Sequence, residues 1–570
     1  MYHSKTQQII DINMKKIFIL LAGIFLMTGC TLDREPETDL ADSNFWKSET
    51  DLRGACNKLY IDLPGFSHDQ RSEELEGKSQ NGVSSGNRSV PGTASDWSDP
   101  YEKIAVCNNI IAKGKNVPVE QTIKDRWLAE AFFFRAYHYF DLVKKYGDVP
   151  LILKAFDTTS DPDIKRGRDP RETVIQQCYE DLDFALQHLP EIDDIPEGDW
   201  GRVSQSAALG MIVRIGLYEG THKKYHQTPG GDYKAHLQKA IDAAEEMIYI
   251  RKDHELYQNG FEKLFLHDGE GRQNKENIFV KVYGPLGTIN HNNSRELEST
   301  VSMTRNMLDN FLYTDGLPRE KSQVRPLTDI SIDDIFINRD PRLAMTIYHV
   351  NEKAYKGPYK PFETNSQNHP FGYAIKKGFI LEEDQSNSGS NDKMIIRYAE
   401  ILISYAEALY ERDGSISNPK LDDTVNLLRQ RVGFNVDLTN EFVLAHQLNM
   451  LDEIRRERMV EFIDENLHYD DIIRWKTAEK VLPVTILGLV YKPGESTKTE
   501  AEMVGKITEA NGMFKGEKVY DQSNIYVLEE AESRSFDPER DYLYPIPSEE
   551  IALSGNNIKQ NPKWGNAKNN

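Results

Sequence analysis

The chain is short of cysteine, of positive charge and of long apolar runs. Among 570 residues there are four cysteines, and 69 lysines and arginines stand against 91 aspartates and glutamates, a formal charge of -22. Cys30, Cys56, Cys107 and Cys178 are too few and too far apart for a disulfide framework or a C-x-x-C metal site. If Cys30 is consumed by other chemistry an odd number is left, so at least one thiol stays free, as a small buried hydrophobe. A Cys56 to Cys107 bridge remains open. A body this acidic repels phosphate backbones and anionic lipid surfaces, which excludes nucleic acid and leaves neutral ligands such as sugars unopposed. The oily run Ile17 to Leu26 is 10 residues long, half of the roughly 20 that a bilayer-spanning helix needs, so it is no transmembrane anchor. With 39% hydrophobic and 10% aromatic residues, the chain is nevertheless rich enough to fold around one large core or several ordinary ones.

Lys15 and Lys16 precede "IFILLAGIFLMTGC", Ile17 to Cys30. This basic, apolar, small-residue order is that of an export signal, so residues 1–29 are expected to be removed, with Met14 of "MKKIFILL" as an alternative start. "LMTGC", Leu26 to Cys30, resembles a bacterial lipobox, in which the cysteine becomes an acylated first residue. Each buried methylene contributes about 0.8 kcal/mol, so two or three acyl chains hold a protein on a membrane durably. The acids Asp33, Glu35, Glu37 and Asp39 resemble the tract that sends Bacteroidetes lipoproteins to the outer face. The expectation is a lipid-anchored outer-membrane protein facing the exterior.

Past residue 40, apolar positions recur at helical spacing in paired segments. The pairs are Glu49–Leu63 with Asp99–Gly114, Asp125–Gly147 with Asp169–Pro190, Ser204–His222 with Tyr233–Ile250, and Ile396–Gly414 with Lys420–Gly433. Ala129 and Ala136, Ala207 and Ala208, and Ala399 and Ala406 fall where a helix must let its neighbour approach. The pattern resembles tetratricopeptide-like helix pairs, about four, with insertions breaking the 34-residue period; an ordinary helical bundle is the alternative. The expected class is mainly α: a right-handed superhelical scaffold with long irregular loops and a few short β-strands, such as Asn277–Tyr283 and Phe371–Phe379. The insertions Phe66–Asp96, Tyr283–Thr300, Asn351–Asp392 and Lys492–Glu532 are polar, and loops of that length are functional or mobile.

Several segments in order resemble the SusD/RagB family: "AEAFFFRAYHYFDLVKKYGDVPLI" (Ala129 to Ile152), "YTDGLP" (Tyr313 to Pro318), "NRDPRLAMTI" (Asn338 to Ile347), "RYAEILISYAEALYE" (Arg397 to Glu411), "VNLLRQRVG" (Val425 to Gly433), "IRRERMVEFIDENLHYDDIIRWK" (Ile454 to Lys476) and "YLYPIPSEEIALSGNNIKQNPKW" (Tyr542 to Trp564). The resemblance spans the whole exported chain. It implies a surface lipoprotein that binds oligosaccharides or related nutrients and delivers them, without chemistry, to a SusC-like TonB-dependent outer-membrane transporter. It also implies one integrated unit with an N-terminal part, 30–270, carrying three helix pairs, and a C-terminal part, 271–570, carrying the fourth. His468, Asn466 and Leu467 depart from the usual residues of their segment, and Gly494 to Asp521 matches nothing general.

Most charged motif residues read as structural. Arg135, Arg339 with Asp340, and Arg455 to Arg458 with Glu457 and Glu461 are expected to form ion pairs that join segments. "GVSSG" (Gly82 to Gly86) lacks the strand that a hydrolase elbow requires. His222 and His226 of "HKKYH" are read as unligated loop histidines ahead of Pro229, and Lys165 and Arg166 spoil the calcium-like "DPDIKRGRD". No metal, cofactor or catalytic residue is expected. Sugar binding needs aromatic faces for pyranose rings and planar polar groups for hydroxyls. Trp97 offers such a face but begins a helix where burial competes. Loop candidates are Phe66, His68, Arg71 and Arg88 in the first insertion, Tyr283, His291, Asn292, Asn293 and Arg295 in the second, and Tyr355, Tyr359, Phe362 and His369 in the third. The rival readings are an extracellular glycan hydrolase and a scaffold or lid of the transporter with no ligand of its own.

Overall fold

Helices begin where the sequence supplies caps and end where it supplies left-handed positions. The structure, a computed structural model, describes residues 45–156, 161–284, 289–297, 300–327, 331–354, 357–363 and 371–565. The export segment with Cys30, and Tyr355 and His369, lie outside them. Helix α1 (Glu49–Asn57) opens on a capping box: the Ser48 hydroxyl accepts the Asp51 amide, and the Asp51 carboxylate accepts the Ser48 amide at 2.8 Å. Helices α2 (Ser95–Gly114), α3 (Gln121–Tyr146) and α4 (Arg171–His188) follow, then α5 (Gln205–His226), capped by Ser204, and α6 (Tyr233–Glu245), capped by Asp232. Helix α7 (Tyr398–Asp413) ends at Gly414, whose φ of +72° suits a residue without Cβ. Helices α8 (Val425–Arg431), α9 (Met450–Glu461) and α10 (His468–Arg474) complete the set used below.

Helix α3 packs along α2 and α4, and α5 along α6, so the middle pairs stand as expected. The flanking pairs differ. α1 leans on α3 more than on α2, and α7 packs against α6, α5 and α9, while its expected partner is split into Asn418–Asp422 and α8. The segment expected to end at Ile250 leaves the α-helix at Glu245 and closes in a π-helical turn, Glu246–Arg251. Close approach rests on the expected alanines, all fully buried. It also rests on Gly216 of α5, where a Cβ would lie 2.7 Å from the His236 carbonyl oxygen of α6.

The described residues are 46% helix and 9% strand. The strands are short and pair in twos, all antiparallel: β1 (Leu75–Gly77) with β3 (Val301–Met303), β2 (Asn277–Lys281) with β4 (Lys393–Arg397), and β5 (Ile486–Val490) with β6 (Ile525–Glu529). Phe371–Phe379 is not a strand but contributes isolated bridges at Tyr373 and Ile375, because its partners Met303 and Ile347 lie on different segments. The main core fills the helical stack, and a second one, with Leu75, Met303, Phe311 and Leu487, lies under the insertions. Cys56, Cys107 and Cys178 are all free and buried, so the bridge left open in sequence does not form.

Between the stack and the insertions runs a buried ionic network. Arg397, at the end of β4, reaches Glu276 at 2.8 Å, Glu461 at 2.7 Å and Glu465 at 2.8 Å. Glu461 also receives Arg431 and, at 3.1 Å, Arg342, which itself holds Asp340 at 2.7 Å and Glu457 at 2.6 Å. A second knot joins Arg474 to Glu407 at 2.6 Å and to Asp471 at 2.9 Å, with Arg458 on Asp471 at 2.7 Å. Burial alone would raise the Glu461 carboxyl, but Arg431, Arg397 and Arg342 hold it well below the usual carboxylate range.

Breaking such a pair from one side strands the other charges, at a cost of about 3–5 kcal/mol. Glu461→Gln is expected to lose about that much in denaturant unfolding. A carboxyl with a depressed native pKa contributes fully above the unfolded value, near about 4.3, and loses that contribution as pH falls through its native value. Wild-type stability should therefore drop more steeply below about pH 4 than that of Glu461→Gln; equal acid slopes would reject the assignment.

Candidate ligand-binding cleft

The C-terminal half of α3 turns one wet face outward. Tyr137, His138, Asp141, Lys144 and Lys145 recur at helical spacing on an otherwise buried helix, and they form a wall of a solvent-open cleft of about 660 Å³. The start of α2 adds Asp96, Asp99 and Lys103, and α5 adds Arg214. The first insertion contributes Ser67 to Arg71, with Asp62 and Pro64 just ahead of it, β4 contributes Lys393 to Ile395, and the α9–α10 link contributes Asn466 and Leu467. Tyr544 closes one edge.

Charges on this lining are mostly paired. Lys144 meets Asp470, Lys145 meets Asp96 at 2.6 Å and Asp141 at 3.0 Å, and Arg214 meets Glu400 at 2.6 Å. Arg71 grips Asp69 at 2.7 Å, donates to the Tyr544 hydroxyl at 3.2 Å and lies 4.3 Å over the Tyr469 ring. Burial raises the Asp141 and Asp69 carboxyls, but Lys145 beside the first and Arg71 beside the second hold both below the ordinary range. A general acid needs the opposite shift. Burial, with Lys103 nearby, pushes His138 down to about 3, so that ring is neutral. His68 behaves differently: although burial lowers it, Asp464, 2.9 Å from Nδ1, raises it above its usual value. The arrangement offers planar carboxylate, amide and guanidinium groups, fixed in place by their partners, which is what hydroxyl recognition requires.

Among the residues singled out from sequence, His68 and Arg71 line this cleft. Phe66, His68 and Asn293 line a smaller neighbouring pocket with Lys377, Asp392 and Lys393. Phe66 packs 6.0 Å from the Tyr283 ring and 4.4 Å from the His291 ring, so the first and second insertions do come together. Tyr283 and His291 are themselves buried as backing for Phe66. Asn292 accepts the Asn387 amide at 2.7 Å, and Arg295 stands partly exposed on the short helix Asn293–Glu296.

Four residues do not face a ligand space, among them Phe362, which is fully buried in the second core. Trp97 is only 3% exposed and lies in the main core against Tyr101 and Tyr146, because its place in the first turn of α2 turns it toward α3. Arg88 is a strut, donating to the Asp541 carbonyl at 2.6 Å beneath Trp564. Tyr359 is buried beside Tyr348. His222 and His226 are not loop residues: both are on α5, stacked 4.1 Å apart, with His226 hydrogen-bonded to the Ile473 carbonyl. The α3 face is not among the residues singled out from sequence, because it lies on a helix and not in an insertion. Its signal is the spacing of polar residues at 137, 141, 144 and 145 inside an aromatic helix.

Comparison with known proteins agrees with this architecture. A profile described as the SusD family matches residues 264–564, and one described as "Starch-binding associating with outer membrane" matches residues 70–217. The chain belongs to the SusD family. A SusD-like protein of Bacteroides ovatus is 24% identical over 94% of this chain and 96% of its own length. A SusD-like carbohydrate-binding protein of Bacteroides fragilis has the same fold, with a TM-score of 0.72 at 23% identity over 89% of this chain and 99% of that one. A laminarin-binding SusD-like protein superposes with a TM-score of 0.61 at 18% identity, over 91% and 100% of the two chains.

For this SusD family member, Trp97→Ala is expected to cost about 3–5 kcal/mol, the range for a large aromatic removed from a core. Trp97→Phe keeps the ring contacts and should leave any ligand affinity unchanged. A lost affinity in Trp97→Phe, with stability intact, would return Trp97 to the binding surface.

Proposed function

We propose that this protein captures oligosaccharide in the cleft beside α3 and passes it, unaltered, to a SusC-like TonB-dependent transporter at the outer membrane. One observation carries the reading: an open cleft of about 660 Å³, walled by paired, pre-oriented planar polar groups, on a scaffold of this family. Support comes from the names of fold relatives, which describe carbohydrate and laminarin binding, and from the family description of outer-membrane association. In this reading acylation at Cys30 of "LMTGC" supplies the attachment; no described helix is long and apolar enough to cross a membrane. Capture fits the cleft better than hydrolysis does, because Asp69 and Asp141 carry shifts that oppose proton donation.

Calorimetry of the full chain in detergent against an oligosaccharide panel is the test. Tyr137→Ala and Asn466→Gly are expected to weaken binding about tenfold each, the equivalent of about 1.4 kcal/mol. Asn466 stands at φ +63°, so glycine removes its amide without backbone strain. Unchanged affinity in both variants would move the ligand elsewhere, and shortened oligosaccharides in the reaction mixture would overturn capture without chemistry.

A further inference from the structure

Two lysines on the lining of this cleft, Lys103 and Lys393, and a third beside Lys393 on the neighbouring strand, Lys281, have no ion-pair partner among the described residues. Lys393 donates to the Gly65 carbonyl at 2.5 Å and Lys281 to the Leu63 carbonyl at 2.6 Å. A Cβ on Gly65 would lie 3.8 Å from the Lys281 Nζ, so both ammonium groups flank one turn. Lys103 lines the same cleft from α2, near enough that its charge disfavours protonation of Lys281. None of the three reaches a carboxylate within ion-pair distance.

That is unusual for this chain. Acids outnumber bases 91 to 69, and the other cations on the cleft are paired: Arg71, Lys144, Lys145 and Arg214 each hold a carboxylate. The carboxylates nearest Lys393 are committed elsewhere, Asp464 to His68, and Glu465 to Arg397 and Lys377. Asp62 and Asp99 are exposed at the rim and solvated. Half-buried ammonium groups that repel one another, with no carboxylate in direct ion-pair contact, are costly to keep. Burial pushes Lys393 down to about 8, which records that cost. A bound anion would remove it. The net charge of the body does not forbid this, since at physiological ionic strength charge is screened beyond about 8 Å.

We infer that the captured oligosaccharide is anionic, with a uronate carboxylate or a sulfate ester seated against Lys103 and Lys393, and Lys281 adding positive charge from behind them. This rests on the capture reading and names the class of sugar it takes. The experiment uses the full chain in detergent and two matched pairs: oligogalacturonate with its methyl ester, and a sulfated galactan oligosaccharide with its desulfated form. The expected result is that at least one charged member binds about tenfold or more tightly than its neutral twin, with the ratio shrinking as salt rises. The pair that discriminates tells carboxylate from sulfate. Lys103→Gln combined with Lys393→Gln should collapse the ratio toward one. If those substitutions impair folding, the wild-type ratio still decides. Equal affinity within both pairs, or a ratio insensitive to salt, overturns the inference. Neutral glycans from the panel binding alongside that result would leave capture standing, whereas no binding by any glycan would remove both.

Discussion

Everything in this molecule that must be placed accurately is placed by guanidinium groups buried against carboxylates. Arg397, Arg431 and Arg342 share Glu461, and Arg474 and Arg458 share Asp471. An apolar contact tolerates sliding, but a bidentate pair inside a core has one good geometry and a large penalty for missing it. The arginines come from segments far apart in sequence, so the network fixes β4, α7, α8, α9 and the Pro341–Thr346 helix relative to one another. The five acids of "EFIDENLHYDD" are all used: Glu461 and Glu465 on Arg397, Asp464 on His68, Asp470 on Lys144 and Asp471 on Arg458.

The network also explains why the motifs were legible while the site was not. A charge at an apolar position of a helical pattern is conspicuous, so Arg135, Arg458, Glu457 and Glu461 could be read as structural pairs. Arg135 indeed holds Asp181 at 2.7 Å. The helix pairs were legible from period and small residues. The limits were set by short helices, where α8 is too brief for a periodic signal, and by Phe371–Phe379, where β-like composition meets no continuous partner strand. The cleft was only half visible. Of the first-insertion residues singled out from sequence, His68 and Arg71 lie on the cleft and Phe66 on the neighbouring pocket, while α3 supplies a whole wall. A polar stripe on a helix reads as ordinary solvated surface unless one knows that another segment faces it. Trp97 is the converse case: it is read as the start of a helix where burial competes with ligand contact, and the packing of α2 on α3 decides for burial.

The first insertion is positioned by the same electrostatics as the core. His68 is held by Asp464, the Glu74 side chain accepts the Asp464 amide at 2.7 Å, and His468 meets Glu73 at 2.9 Å. Burial lowers His468, but Glu73 lifts it to about 9, so the pair is charged at neutral pH and contributes stability until pH rises through that value. Each tie runs from the insertion to the link between α9 and α10, which the arginine network fixes. The base of the insertion is therefore tied to the core by these three contacts.

This arrangement decides what kind of recognition the protein can perform. Side chains locked by ion pairs cannot repack around arbitrary ligands, and pre-organised polar groups lose little entropy on binding. Discrimination must then come from the groups left unlocked, because a paired carboxylate or guanidinium presents the same reduced charge to every sugar. On this cleft the charges outside ion pairs include Lys103, Lys393 and the exposed Asp62 and Asp99. The two signs differ in burial, half-buried for the lysines and solvated for the acids. A solvated carboxylate is screened and exchanges water at little cost, while a half-buried ammonium without a counter-charge gains substantially from an anion. On the proposed capture reading, the asymmetry in burial, more than the count of charges, favours an anionic ligand in this cleft.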